Sequence, residues 1–247
     1  MKFKVFKGSA ACRHKRNRSQ HRRKNVEPGW ESSNWSGYAL SRSRKGAFRS
    51  VSGFWIVPRV RSSRSNQYSS AWIGIDGFTN SSLIQTGTEH DYVNGKPLYY
   101  AWWEILPAAA IRIPYPVSPG NLMIARITRL RKNKWRILLQ NRTLGWTFRK
   151  TTTYTGPANS AEWIAEAPSI NGQTTTLARY KKFPFLACRV NGKKAKLNAR
   201  ARGIMIQNNT TVSTPSLPGK NRDSFTQAYG ARIPAPPKLL LRRATIM

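Results

Sequence analysis

Acidic side chains are scarce in this chain. Nine Asp and Glu stand against 43 Lys and Arg, giving a formal net charge of +34 over 247 residues. Cysteine is scarcer still: Cys12 sits in a charged segment and Cys188 far away, so there is no disulfide framework and no pair of thiols spaced for zinc. No apolar run approaches the roughly 18 residues of a membrane-spanning helix. Of three histidines, only His90 lies outside the basic N-terminal stretch, so a Ser-His-Asp triad would have to use it. No nucleophile-elbow motif accompanies it, and a turn histidine without catalytic role is the simpler reading. No Gly-rich phosphate loop occurs, since Gly74 and Gly77 belong to a strand and a turn. Windows with a sustained helical apolar stripe and capping signals are absent too.

What remains reads as β structure. The chain is long enough for a substantial core, and nine Trp, nine Tyr and nine Phe add volume to a hydrophobic fraction of 39%. Residues 1–29 form a basic arm, densest from Arg13 to Lys24, whose like charges resist packing. They carry basic and small residues but no apolar core of a signal peptide. Residues 30–231 alternate short β-branched and aromatic runs with Ser-Gly, Asp-Gly, Asn-Gly and Pro-Gly turn signals. Lys134–Gln140 puts Trp135, Ile137 and Leu139 inward and Arg136 outward, with Leu122–Leu130 as its partner. Further strands are expected at 50–57, 98–105, 109–113, 146–154, 161–166, 175–187, 202–207 and 223–229. Residues 232–247 form a basic, proline-containing tail. Many short strands without helices mean a β-sandwich or barrel.

The positions of the nine acids carry the functional information. Six fall between residues 76 and 166, several inside strands. In Ser70–Asp76, alternation sends Trp72, Gly74 and Asp76 to one side and Ala71, Ile73 and Ile75 to the other. Leu83, Gln85 and Gly87 share a face of the next run. Tyr100, Trp102 and Glu104 share one in Tyr100-Ala-Trp-Trp-Glu104, as do Glu162 and Glu166 in Ala161-Glu-Trp-Ile-Ala-Glu166. If these strands are neighbours, one sheet face is an aromatic-walled acidic groove in a cationic protein. Carboxylates amid aromatics suit glycoside hydrolysis. They equally suit general acid/base hydrolysis of a peptide bond with an amide as oxyanion donor. They could also simply pair with the many cations. The surplus of Lys and Arg favours an anionic partner, or a solvated basic surface that stays soluble in acid.

These residues also carry a resemblance. Asn34-Trp35-Ser-Gly, Val51-Ser-Gly-Phe-Trp-Ile-Val-Pro58, Ala71-Trp-Ile-Gly-Ile-Asp-Gly77, Leu83-Ile-Gln-Thr-Gly87, Tyr100-Ala-Trp-Trp-Glu104 and Ala161-Glu-Trp-Ile-Ala-Glu-Ala-Pro168 occur in the order seen in glutamic peptidases, or eqolisins. The chain resembles that family from about Ser33 to Ala231, and looks most like its bacterial branch. The resemblance implies an all-β sandwich of two antiparallel sheets, a concanavalin A-like jelly roll, with the groove on one concave face. It implies a secreted, monomeric, acid-acting endopeptidase that takes polypeptide substrates and needs no metal or cofactor. The family's catalytic glutamine falls on Gln85 and its glutamate on Glu166. Trp35, Trp72, Asp76 and Glu104 match positions that line the family's site, and Tyr100, Trp102 and Glu162 share the same faces. Glu166 as carboxylate would take a proton from water, Gln85 would stabilise the oxyanion, and Glu166 would then protonate the leaving amine. The high positive charge, His90 and the basic stretch Tyr180–Val190 are out of character for the family. A binding module for nucleic acid or acidic glycan, built on the same sandwich, is the alternative from another class.

Overall fold

The computed structural model describes residues 27–238 and a two-residue strand at Lys4–Val5. The expected N-terminal arm and C-terminal tail therefore lie largely outside the described residues. The strands in chain order are β1 (Lys4–Val5), β2 (Trp30–Ser32), β3 (Trp35–Ser41), β4 (Ser50–Ile56), β5 (Ser70–Asp76), β6 (Leu83–Val93), β7 (Lys96–Ile105) and β8 (Ile111–Ile113). After them come β9 (Leu122–Arg131), β10 (Lys134–Asn141), β11 (Trp146–Thr153), β12 (Ser160–Glu166), β13 (Ser169–Ile170) and β14 (Gln173–Thr174). The last are β15 (Phe183–Val190), β16 (Lys193–Lys194), β17 (Arg202–Gln207), β18 (Thr210–Pro215) and β19 (Phe225–Tyr229). Among the described residues the one helical element is a 3-10 turn at Ala199–Ala201.

Apart from the β13–β14 hairpin, these strands hydrogen-bond into one continuous, largely antiparallel ladder. One run passes β2, β17, β3, β12, β5, β6, β7, β8, with β2 and β17 parallel. The other passes β18, β19, β15, β4, β9, β10, β11. The β17–β18 hairpin joins the two. The ladder folds over, so that Ile73, Ile75 and Trp163 of the first run share a core with Val51, Trp55, Ile127 and Ile137 of the second. Two indoles cross between the runs: Trp163 Nε1 donates to Ser52 O at 2.9 Å and Trp55 Nε1 to Thr88 Oγ1 at 2.9 Å. Alternation explains this arrangement directly. Ala71, Ile73 and Ile75 of β5 and Ala161, Trp163 and Ala165 of β12 all face that core. The opposite faces carry a second cluster of Trp30, Trp35, Trp72, Leu83, Trp102 and Ile164.

Two expectations need correcting. Residues 175–182 are not strand; Leu177 and Tyr180 are held by single bridges to Tyr68 and Val60, and β15 begins at Phe183. His90 is not in a turn. β6 runs on to Val93, and His90 is buried in the core between Tyr99 and Phe183, facing away from the groove. A polar run of Glu-His-Asp reads as loop, yet here every member is buried.

Candidate active site

The central strands of the first run set up the site by register. β12 pairs with β5, β5 with β6 and β6 with β7, so Glu166, Trp72, Gln85 and Glu104 all arise from adjacent strands. Trp72 stands opposite Gly87, and Gly74 opposite Gln85. These glycines make room for the indole. A Cβ on Gly87 would lie 2.5 Å from the Ala71 carbonyl oxygen and 2.5 Å from Trp72 Cβ, and one on Gly74 would lie 2.8 Å from Trp72 Cζ3. Trp35 packs edge-on to Trp72 with ring centroids 4.8 Å apart, fixing both rings.

Above this floor lies a cavity of about 520 Å³. Asn34, Trp35, Gln85, Glu89, Tyr100, Trp102, Glu104 and Glu166 line it, with Leu106 and Ile170 among its apolar walls and, among the described residues, no Lys or Arg. Trp72 Nε1 donates to Glu166 Oε2 at 2.7 Å, and Asn34 Nδ2 donates to Glu166 Oε1 at 3.2 Å. Burial pushes the Glu166 carboxyl up to about 8; the indoles of Trp35 and Trp72 and the Asn34 amide pull against that, and Glu104 adds to it. In acid, well below that value, Glu166 in the open groove is the neutral acid.

Gln85 Nε2 donates to Glu104 Oε2, while its own Oε1 is buried without a hydrogen-bond partner. Burial raises the Glu104 carboxyl above its usual range, against the Gln85 hydrogen bond. Glu89 accepts from Trp102 Nε1 at 2.9 Å and is pushed well above the usual carboxylate range, by burial first and then by Asp91 and Glu166. Burial lifts Asp91 to about 7, though the Ser69 backbone N–H donates to it at 3.1 Å. Burial and mutual proximity thus raise every one of these carboxyls above its usual range. Their donors are amides and indoles, so pairing with Lys or Arg does not explain them.

The structure thus brings Gln85, Glu166, Trp35, Tyr100, Trp102 and Glu104 to one cavity, with Trp72 beneath it. It does not bring Asp76 or Glu162 there. Asp76, at φ 73° on the end of β5, is a pin for the 154–159 loop. Its carboxylate accepts from Tyr154 Oη at 2.6 Å, Ala158 N at 2.7 Å, Asn159 N at 2.9 Å and Asn80 Nδ2 at 3.2 Å. Glu162 is fully buried, and burial raises its carboxyl well above the usual range. Two groove residues escaped sequence reasoning. Asn34 is visible only as part of a motif, and Glu89 stands beside His90 in a polar run that reads as a turn. Extending the alternation Leu83, Gln85, Gly87 by one step would have found Glu89. Among the described residues, no group of three or more His, Cys, Asp or Glu could hold a metal ion, and no helix is long and apolar enough to cross a membrane.

Comparison with known proteins shows the family. Residues 33–227 match the model of the Peptidase A4 family, and the chain belongs to that family. It is 30% identical over 162 residues to Aspergillopepsin-2 of Aspergillus niger, a match covering 55% of this chain and 56% of that protein, so the chain spans about half the length of that curated relative. Its fold is similar to scytalido-glutamic peptidase solved with a transition state analog inhibitor, at TM-score 0.68 and 25% identity over 80% of this chain and 98% of the other. SCP-B, a member of the eqolisin family of peptidases solved with the tripeptide Ala-Ile-His, is similar at TM-score 0.63 and 25% identity over the same shares.

Proposed function

We propose that this protein is an endopeptidase that hydrolyses polypeptides in acid, with Glu166 and Gln85 as its catalytic pair. The observation that carries this reading is that both side chains open into one aromatic-walled cavity, from strands β12 and β6 on either side of β5, in a chain of the Peptidase A4 family. The tripeptide and the transition state analog bound to SCP-B and scytalido-glutamic peptidase support a peptide as occupant of the groove. On the motifs of the sequence we read the fold more finely as a concanavalin A-like jelly roll, the member as one of the bacterial branch, and the site of action as extracellular.

The protonation state revises the first step. In acid, Glu166 starts as a carboxylic acid rather than a carboxylate. One carboxyl oxygen accepts a proton from the attacking water while the other gives its proton to the scissile carbonyl oxygen. The C–O bond forms, and the carboxyl ends the step neutral. The Gln85 N–H donates to the oxygen on which negative charge grows, worth about 3–4 kcal/mol for comparable donors. In the second step Glu166 protonates the amine nitrogen and takes back a hydroxyl proton as the C–N bond breaks. Glutamine suits this role because it stays neutral and a donor at low pH. Glu104, bonded to the Gln85 amide, aims it.

Hydrolysis of an unfolded protein by wild type, Glu166→Gln and Gln85→Ala in mild acid tests the reading. Cleavage is expected from wild type, none from Glu166→Gln, and a loss of about 10²–10³ in kcat from Gln85→Ala. Full activity in either variant would sink the assignment. Salt-sensitive polyanion binding with no cleavage at any pH would favour the binding-module alternative instead.

A further inference from the structure

We propose that Arg59, Arg61, Arg179, Lys181 and Lys182 form a binding site for the phosphodiester backbone of single-stranded nucleic acid, separate from the peptide groove. The site is built by an antiparallel crossing of two extended segments. Val60 and Tyr180 pair at its centre, Arg61 N donates to Arg179 O at 2.7 Å, and Lys181 N donates to Arg59 O at 3.0 Å. Val60 and Tyr180 are buried beneath, so their neighbours on both segments are turned outward, and all five cations are exposed. A cavity of about 660 Å³ opens among Arg61, Arg179, Tyr180, Lys181, Lys182 and Tyr229. A second recess of about 300 Å³ continues past Arg59, Lys181 and Lys182. Neither shares a lining residue with the peptide groove.

No acid lines either recess, and the reason is global. Of the nine Asp and Glu, only Glu27 is exposed; the other eight are buried or half-buried, and Glu89, Glu104 and Glu166 line the peptide groove. The protein's anions are turned inward, so its surface cations have to find theirs elsewhere. Chemistry narrows the partner. A phosphodiester stays ionised in the acid where the peptidase reading puts the protein, whereas a carboxylate polymer is largely neutralised there. Three arginines offer planar forks that each grip two phosphate oxygens. Tyr229 is half-buried in the wall with the Arg179 guanidinium 5.9 Å over its ring, so an unstacked base would lie against the guanidinium plane that this ring backs. A recess with an aromatic wall fits a single strand better than the outer face of a duplex.

Fluorescence anisotropy of a labelled oligothymidylate, about 16 nucleotides long to span the larger site sizes, tests this in mild acid and at neutral pH. Two triple variants are compared with wild type. Arg61→Ala/Arg179→Ala/Lys182→Ala strips the site, and Arg131→Ala/Lys132→Ala/Arg136→Ala strips equal charge from the β9–β10 hairpin. Three lost single-strand phosphate contacts shrink the slope of log K against log salt by about 2 and weaken binding at least about tenfold near 150 mM salt. The hairpin variant should stay within about twofold of wild type. Both should keep the wild-type melting temperature and peptide cleavage, so failure here is separable from failure of the peptidase reading. Equal losses in the two triples would mean diffuse attraction and overturn the site. Tighter binding of dextran sulfate or of a matched duplex than of the single strand would overturn the partner.

Discussion

His90→Phe is expected to make the protein more stable in acid while leaving it nearly unchanged at neutral pH. His90 is 1% exposed, flanked by Tyr99 and Phe183, and its Nε2 lies 2.7 Å from Thr88 Oγ1. Burial alone lowers its pKa to about 3. In the unfolded chain the ring titrates near 6.5. Between those values the unfolded state binds a proton that the folded state refuses, so stability is intact above 6.5 and drains away as pH falls toward 3. The gap corresponds to roughly 5 kcal/mol, a large share of a domain's total. The buried carboxyls act in the opposite sense. Glu166 near 8 and Asp91 near 7, with Glu89, Glu104 and Glu162 also raised, keep protons that the unfolded chain has already shed. Their contribution is present in acid and lost as pH rises through those values. Phenylalanine removes the histidine term, at a cost of about 1 kcal/mol for the Thr88 hydrogen bond. Urea unfolding at about pH 3.5 and pH 7 should show a gain of several kcal/mol in acid only. Parallel curves for variant and wild type at both pH values would refute the reasoning.

Further expectations concern the site and its supports. Trp72→Phe removes the indole donor from Glu166 Oε2, which favours the carboxylate, so the Glu166 carboxyl should titrate above about 8. A titration of that side chain by isotope-edited NMR that moved downward would contradict this. Asp76→Ala strands Tyr154 Oη and two backbone N–H groups and should cost about 3 kcal/mol in chemical unfolding, with kcat of the remaining folded protein unchanged. Glu104→Ala frees the Gln85 amide and should lower kcat with little change in KM, since only the transition state needs that amide aimed. Gly87→Ala drives a Cβ into the Ala71 carbonyl and Trp72, and should cost more than about 2 kcal/mol in thermal unfolding along with most activity.

The all-β architecture and the two faces of its central strands were legible because alternation in Ser70–Asp76 and Ala161–Glu166 leaves one face fit for a core. Gln85 could not be singled out by physics alone. A neutral amide leaves no mark in composition, and only the resemblance named it. Three things stayed hidden because they depend on distant partners. Asp76 sits on the groove's strand but is claimed by Tyr154 and the backbone of Ala158 and Asn159, about eighty residues on. Glu89, His90 and Asp91 read as a polar turn because their burial rests on Trp102, Thr88 and Ser69, although alternation carried on from Gln85 reaches Glu89. The joining of the two expected sheets into one ladder runs through the β17–β18 hairpin and the pairing of β17 with β3, a long-range contact with no sequence signature.

The central claim is that Glu166 works from its protonated state. Its most direct test is the pH dependence of kcat/KM on a quenched-fluorescent peptide, followed from acid to mildly alkaline conditions. The account predicts high activity in acid, falling as pH rises through about 7–8 where Asp91 and then Glu166 lose their protons. Activity that instead rises through that range would mean an ionised Glu166 acting as base, and would contradict it.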